Sequence, residues 1–399
     1  MAITCGDVPR LICAIILPPV GVFFQVGCTR DLAINVLLTI LGHTLCRLFT
    51  SRDFASVRCA SHLQLQATET AHPVQHSVNP DHLTSAPTSM ASEPTLSAGY
   101  LLLVALAVTV AMQLAFFAAA FKLQVDKLTD FAGTLNFAVL ALGSLLIQNV
   151  YSSRGVAVTA LQCIWALRLG VHLVLRVLRR GRDARFDEMR ADWRAFLGFW
   201  VFQMLWAWIV SLPVLLANSV GSSSSRAFGS DARDIVGLVV WIIGFALEWA
   251  ADATKESFYS RPENRSRFLD RGVWRYSRHP NYFGEILCWT GMAVLASAAF
   301  ASTHSPAWFY VLAALSPSFT AALLLLLSGA PLAEARSDER FGADPLYWQH
   351  KATTSPVVCL PPAIYGALPM WVKRVFLFEW PLYSRRQRRE SAADYQAIP

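Results

Sequence analysis

The sequence predicts an all-α membrane protein, a multi-span helical bundle of about seven spans preceded by a two-span helical hairpin. Three observations predict it. The chain of 399 residues is 54% hydrophobic and only 15% charged, with a mean hydropathy of +0.40, whereas soluble domains carry about 25% charged residues. The apolar residues gather into long runs: Ala98–Phe121, Phe131–Val150, Ala195–Ala217, Ile235–Ala251, Tyr282–Phe300 and Ala307–Leu327. Each approaches the roughly 20 helical residues that cross a hydrocarbon layer about 30 Å thick. Gly155–Leu178 is a further candidate span that carries Arg168, His172 and Arg176. Finally, the basic residues cluster at the ends of the apolar runs, as they do in the cytoplasmic loops of membrane proteins.

In chain order, the first element is the hairpin of residues 1–50. Leu11–Gly27 is apolar around Pro18, Pro19 and Gly21; Cys28-Thr29-Arg30-Asp31 breaks it; Leu32–Gly42 is apolar again. Each arm is near the shortest length that spans a bilayer. A cleaved signal peptide fits poorly, because no basic region precedes the first run and a second run follows at once. Leu17–Gly42 resembles the small plasma-membrane proteolipid family induced by salt and cold stress. The shared residues are Pro-Pro-x-Gly-Val-Phe, the Gly27-Cys28 hinge and Asn-x-Leu-Leu-Thr-x-Leu-Gly, in that order. After Gly42 the chain departs from that family: His43-Thr44-Leu45-Cys46-Arg47 stands where a Pro-containing end to the second span is expected.

Residues 51–97 are rich in Ser, Thr, His, Pro and Gln and lack apolar periodicity. Such a composition buries too little surface to offset ordering entropy, which predicts a disordered linker. His43, His62, His72, His76 and His82 are irregularly spaced, unlike metal ligands. The 8 cysteines form no CxxC pair, so neither a disulfide framework nor a zinc site is expected.

The membrane domain is expected over residues 98–399. Its charge is uneven: Arg176–Arg194, Lys255–Arg278 and the tail with Arg385, Arg386, Arg388 and Arg389 are basic, whereas Ala301–Ser305 has no Lys or Arg. Asn218–Asp234 is Ser-rich, with Arg226 and Arg233. Placing the three basic segments in the cytosol gives consistent alternation through the last five spans. The sequon Asn264-Arg265-Ser266 then faces the cytosol and stays unglycosylated. The formal charge of +7 is thereby explained by the membrane, and nucleic acid is not expected as a partner.

Polar chemistry concentrates in Arg271–Glu285, RGVWRYSRHPNYFGE, where a basic loop enters a span. Ionisable groups this close to hydrocarbon are expensive, which makes function the default reading. Arg275, Arg278 and His279 are donors suited to phosphate. Asn281 and Tyr282 precede Glu285 by four and three residues and share its helical face. An interfacial anchor of snorkelling arginines and belt aromatics is the plain alternative. Upstream, Glu248, Asp252 and Lys255 fall on one face at spacings of four and three, either as a salt-bridged structural face or as the facing wall of one polar cavity. Ser328–Glu334 ends the last apolar run, and Tyr347–Ser355 adds aromatic and basic groups.

Trp165–Arg190, the GFALEWAADATK segment, GVWRYSRHPNYFGE and SGAPLAE with the later YWQHKATTS resemble, in order and spacing, a family of uncharacterised membrane proteins. That family shares the C-terminal domain of steroid 5α-reductases and is more distantly similar to sterol C14-reductases. The resemblance implies an all-helical membrane domain that takes NADPH from the cytosol and reduces a carbon–carbon double bond of a lipid or sterol-like substrate. It makes the chain an oxidoreductase of the endoplasmic reticulum membrane, with the plasma membrane as the alternative. Glu285 and Tyr282 are then the candidate catalytic residues, with the acid in proton delivery. Asp252, Lys255, Arg275, Arg278, His279, Asn281, Tyr347 and Lys351 are the candidate cofactor-binding residues; no metal is expected. Where the family has an Arg four residues after Lys255, this chain has Tyr259, with Arg261 close by. No GxGxxG fingerprint is present, so a Rossmann site is not expected. Two other readings compete: an S-adenosylmethionine-dependent methyltransferase of the isoprenylcysteine type, which also carries Arg-His-Pro-x-Tyr, and a non-enzymatic membrane proteolipid.

Overall fold

The computed structural model describes residues 95–123, 127–180, 192–220 and 227–383. The expected hairpin, nearly all of the linker, most of the basic segment 176–194 and the tail arginines lie outside the described residues. Within them, all regular secondary structure is helical. Seven helices are long and apolar enough to cross a membrane, and they coincide with the seven apolar runs. The chain is thus a multi-pass helical membrane protein.

The spans are α1 (Ala98–Leu123), α2 (Lys127–Gln148), α3 (Ser153–Arg180), α4 (Trp193–Val210), then a short α5 (Leu212–Ser219), α6 (Ala232–Ser260), α7 (Pro280–Ser302) and α8 (Ala307–Ala322). The predicted run Ala195–Ala217 is broken at Ser211, because Pro213 in the first turn of α5 has no N–H to continue the ladder. Helix α8 carries Pro317 and passes through a π turn, Leu323–Leu327, into α9 (Ala330–Phe341), which ends the last span. Three short helices follow: α10 (Pro345–Thr353), α11 (Pro362–Ala367) and α12 (Met370–Phe376).

Two devices fix the bundle. Lipid tails offer no hydrophobic drive between helices, so small residues and polar pins set the packing. Gln113 on α1 donates to Asn136 on α2 (3.0 Å), and Gln203 on α4 donates to Gln113 (3.0 Å), all three buried. Arg154 at the start of α3 grips Asp234 at the start of α6 with two bonds of 2.8 Å. Deeper in, Phe137, Trp165 and Trp289 pack as one aromatic core, the two indoles edge-on at 4.7 Å.

The closest helix pair is α6 against α7. A Cβ on Gly244 would stand 2.6 Å from the Cys288 N and the Gly284 O, and one on Gly291 would stand 2.6 Å from the Gly237 O and the Trp241 N. Backbone thus meets backbone along a seam of four glycines, in pairs seven residues apart on each helix. Gly244→Val is expected to destabilise the protein by about 1–3 kcal/mol or more through overpacking. Its thermal midpoint in detergent should fall, whereas Gly99→Ala, which meets nothing within 4 Å, should leave it unchanged.

The sequon Asn264 is buried at 6% exposure and its amide donates to the Phe258 carbonyl (3.0 Å). A glycan on so buried an amide would have to displace the bond to Phe258, so a missing glycan does not report orientation. A reporter fused after Pro399 does, and its signal is expected in the cytosol, as the positive-inside pattern requires.

Candidate functional site

The glycine seam positions the first group of site residues. It sets Glu248 on α6 beside the start of α7, where a Cβ on Gly284 would stand 2.6 Å from the Glu248 N. Arg168 on α3 reaches both Glu248 and Asp252, which lie one helical turn apart on α6. The second Glu248 oxygen accepts the Trp165 indole N–H at 3.0 Å. His172, one turn beyond Arg168, places its Nε2 4.0 Å from the Asp252 Oδ2. Glu285 on α7 is within electrostatic range of Glu248, Asp252 and Arg168, and the Trp289 indole lies beside it. Glu285 itself is half-buried. Two carboxylates thus share one arginine inside the bundle, with the third, Glu285, close by, an arrangement whose cost in hydrocarbon marks a functional site.

The second group hangs from the loop before α7. Pro280 at the first helical position starts that helix and leaves Arg278 and His279 in the loop. The C-terminal segment holds this loop: the Arg278 N donates to the Ser355 O (2.8 Å), the Leu360 N to the Tyr276 O (3.0 Å) and the Ser277 hydroxyl to the Val357 O (2.7 Å). The Arg278 guanidinium donates to both Glu379 oxygens (3.0 and 2.9 Å) and to the Lys351 carbonyl (3.1 Å), and its Nε lies 3.1 Å from the Glu334 Oε1. The Lys351 ammonium lies 2.7 Å from the Glu334 Oε2, binds Asp338 and donates to the Tyr383 carbonyl (2.8 Å). Tyr347 donates to Asp338 (2.7 Å), and Tyr365 to Glu379. His279 Nε2 sits 2.9 Å from the Glu334 Oε1. Burial pulls the His279 pKa below the ordinary imidazole value, which Glu334 only partly offsets. Burial lowers the Arg278 pKa as well, but the facing Glu334 and Glu379 carboxylates outweigh it and leave that pKa raised.

Tyr282 joins the two groups. Its ring stacks on His279 at 5.0 Å, and Glu285, Asp252 and Glu334 are all within its electrostatic range. The Asn281 Oδ1 is buried and accepts no hydrogen bond. Lys255 and Arg275 are exposed, and the Lys255 ammonium lies 5.1 Å over Trp274, whose indole N–H donates to the Ala251 carbonyl (2.9 Å).

A protein family described as "protein of unknown function (DUF1295)" matches residues 116–354. The chain belongs to the DUF1295 family. The DUF1295 match spans both groups of site residues except Glu379, Tyr365 and Tyr383. Separately, residues 7–49 match a family described as "proteolipid membrane potential modulator". Over 43 residues the chain is 79% identical to Protein Ric1 of Phytophthora infestans, 11% of this chain and 75% of that protein. Over the same shares it is 63% identical to plasma membrane proteolipid 3 of Cryptococcus neoformans and 60% identical to that of Neurospora crassa. No solved structure matches the chain.

The structure brings together Asp252, Glu285 and Tyr282 in the first group, and Arg278, His279, Tyr347 and Lys351 in the second. One expectation changes in detail. Arg278, Tyr347 and Lys351 turn their donors to Glu334, Asp338 and Glu379 and not outward, so they clamp the C-terminal segment onto the loop. Sequence reasoning passed over Arg168 and His172 as site residues, although both are ionisable groups four residues apart inside an apolar run. It also passed over Glu379, more than a hundred residues from its partner Arg278.

Proposed function

We propose that this DUF1295 member is a membrane-embedded, NADPH-dependent reductase of a carbon–carbon double bond in a lipid or sterol-like substrate, working from the cytosolic face of the endoplasmic reticulum membrane. The observation that carries the reading is the convergence of a half-buried carboxyl group, Glu285, a phenol, Tyr282, and an acceptor without a donor, the Asn281 Oδ1, at the mouth of a span. A nicotinamide carboxamide offers the N–H donor that Asn281 lacks. Lys255 and Arg275, both exposed, are donors suited to attract phosphates. NADPH, when bound, supplies hydride; the chain has to orient it, exclude water and deliver a proton. Glu285 holds that proton, with Tyr282 beside it. The Arg168 bridge holds Glu248 and Asp252 in place. Asp252 thereby acts on the site through the ion bridge. The proteolipid relatives named for the plasma membrane make that membrane the alternative location.

The test is cofactor binding by the purified full-length protein. NADPH is expected to bind, and S-adenosylmethionine is not; the reverse result assigns the chain to methyl transfer, and binding of neither assigns it no cofactor chemistry. Lys255→Glu and Arg275→Glu should each weaken NADPH binding roughly 10- to 100-fold, the loss expected for a charge-assisted contact. Equal affinities in calorimetry would remove these two residues from the site.

A further inference from the structure

The chain leaves its last span through α9 and α10 and then forms α11 and α12, of six and seven residues, too short to cross a bilayer. Both helices are amphipathic in an unusual direction. Their inward side chains are the polar clamp: Tyr365 donates to Glu379, and the buried Lys373 ammonium lies 4.6 Å over the Tyr365 ring. Their outward side chains are apolar: Ile364, Met370, Trp371, Val375 and Phe376 are 46–63% exposed. Arg374 is exposed among them.

The height of this patch is fixed by one contact. The Tyr383 hydroxyl, just beyond α12, donates to the carbonyl of Leu325 (2.7 Å), in the π turn within the last span. Leu326, Leu327 and Leu332, on that turn and the start of α9, are also 49–59% exposed. The patch therefore belongs to the end of a membrane helix, where hydrocarbon gives way to headgroups. Exposed indole and phenyl rings with an arginine between them are the chemistry of that layer. The sequence then adds Arg385, Arg386, Arg388 and Arg389. Basic clusters next to a span select anionic phospholipid.

We propose that α11 and α12 form a foot lying in the plane of the membrane interface, with Trp371, Val375 and Phe376 inserted among acyl-chain ends and Arg374 on anionic headgroups of the cytosolic leaflet. Such a foot would keep the clamp over the loop before α7 pressed to the membrane surface. The inference is independent of the cofactor assignment.

The test uses the full-length chain with its native cysteines replaced, an environment-sensitive fluorophore on Val375→Cys, and nanodiscs of phosphatidylcholine with or without phosphatidylserine. The probe should emit as in a low-polarity medium and be quenched more by nitroxides near the headgroup than by nitroxides deep in the acyl chain. Nitroxide-labelled phosphatidylserine should quench more than labelled phosphatidylcholine, and Arg374→Glu should bring that ratio toward one. A probe quenched by aqueous iodide and not by lipid nitroxide would overturn the proposal, as would protection that appears only when two copies occupy one disc. A second probe at Trp371→Cys guards against a variant that misfolds, and should give the same depth.

Discussion

For the proposed reductase, Glu285→Gln is expected to keep the fold and the NADPH affinity while lowering turnover by roughly 10²–10⁴-fold, the range lost when a general acid is removed. The expectation rests on where the carboxyl group stands. It is half-buried, and its acidic neighbours, Glu248 and Asp252, are already bridged to Arg168. The arginine is thus shared by two other acids, which leaves Glu285 the acid of the three least held by an ion pair. The isosteric amide keeps the shape and removes the proton. A group that merely paired with a cofactor cation would behave differently: binding would weaken and the saturated enzyme would turn over normally. Single-turnover rates at saturating NADPH separate the two cases, and an unchanged rate rules out proton donation by Glu285.

Arg278→Ala is expected to cost about 3–5 kcal/mol of stability, because it strands buried carboxylates. Glu379 would lose both of its guanidinium bonds, and Glu334 would keep only His279 and Lys351. The thermal midpoint in detergent should fall sharply. A double change that also replaces Glu379 by Gln should recover part of the loss, since no bare charge then remains there. Were Arg278 instead a phosphate ligand, its loss would weaken NADPH binding and leave the midpoint of the cofactor-free protein nearly intact. The two measurements therefore assign the residue.

The fold was legible because each span writes itself as an uncharged run of the required length, and hydropathy needs no partner to be read. The crowding of chemistry in Arg271–Glu285 was legible for the same local reason: a cost in hydrocarbon is visible in a single stretch. Pairing was not. Nothing in one sequence says that Arg278 faces Glu379, or that Arg168 bridges two turns of α6; those partners meet only when distant segments pack. Asn264 shows the opposite failure, since a motif readable in sequence is closed by burial. The break at Ser211 was within reach, because Pro213 was present to signal it. So was the glycine seam, whose seven-residue spacing recurs on both helices and went unread.

That seam also limits traffic. Two helices touching backbone to backbone have no side chains between them that can swing aside. A passage wide enough for a lipid would have to break the contacts of Gly237 with Gly291 and of Gly244 with Gly284 together. A hydrophobic molecule travelling laterally from the bilayer to Glu285 must therefore approach from another flank. The flank with slack is the one beside α8, where Pro317 removes a backbone bond and the π turn at Leu323–Leu327 widens the coil before α9. A crosslink welding α6 to α7 should then leave passage of a bulky molecule untouched, whereas one stapling α8 should stall it.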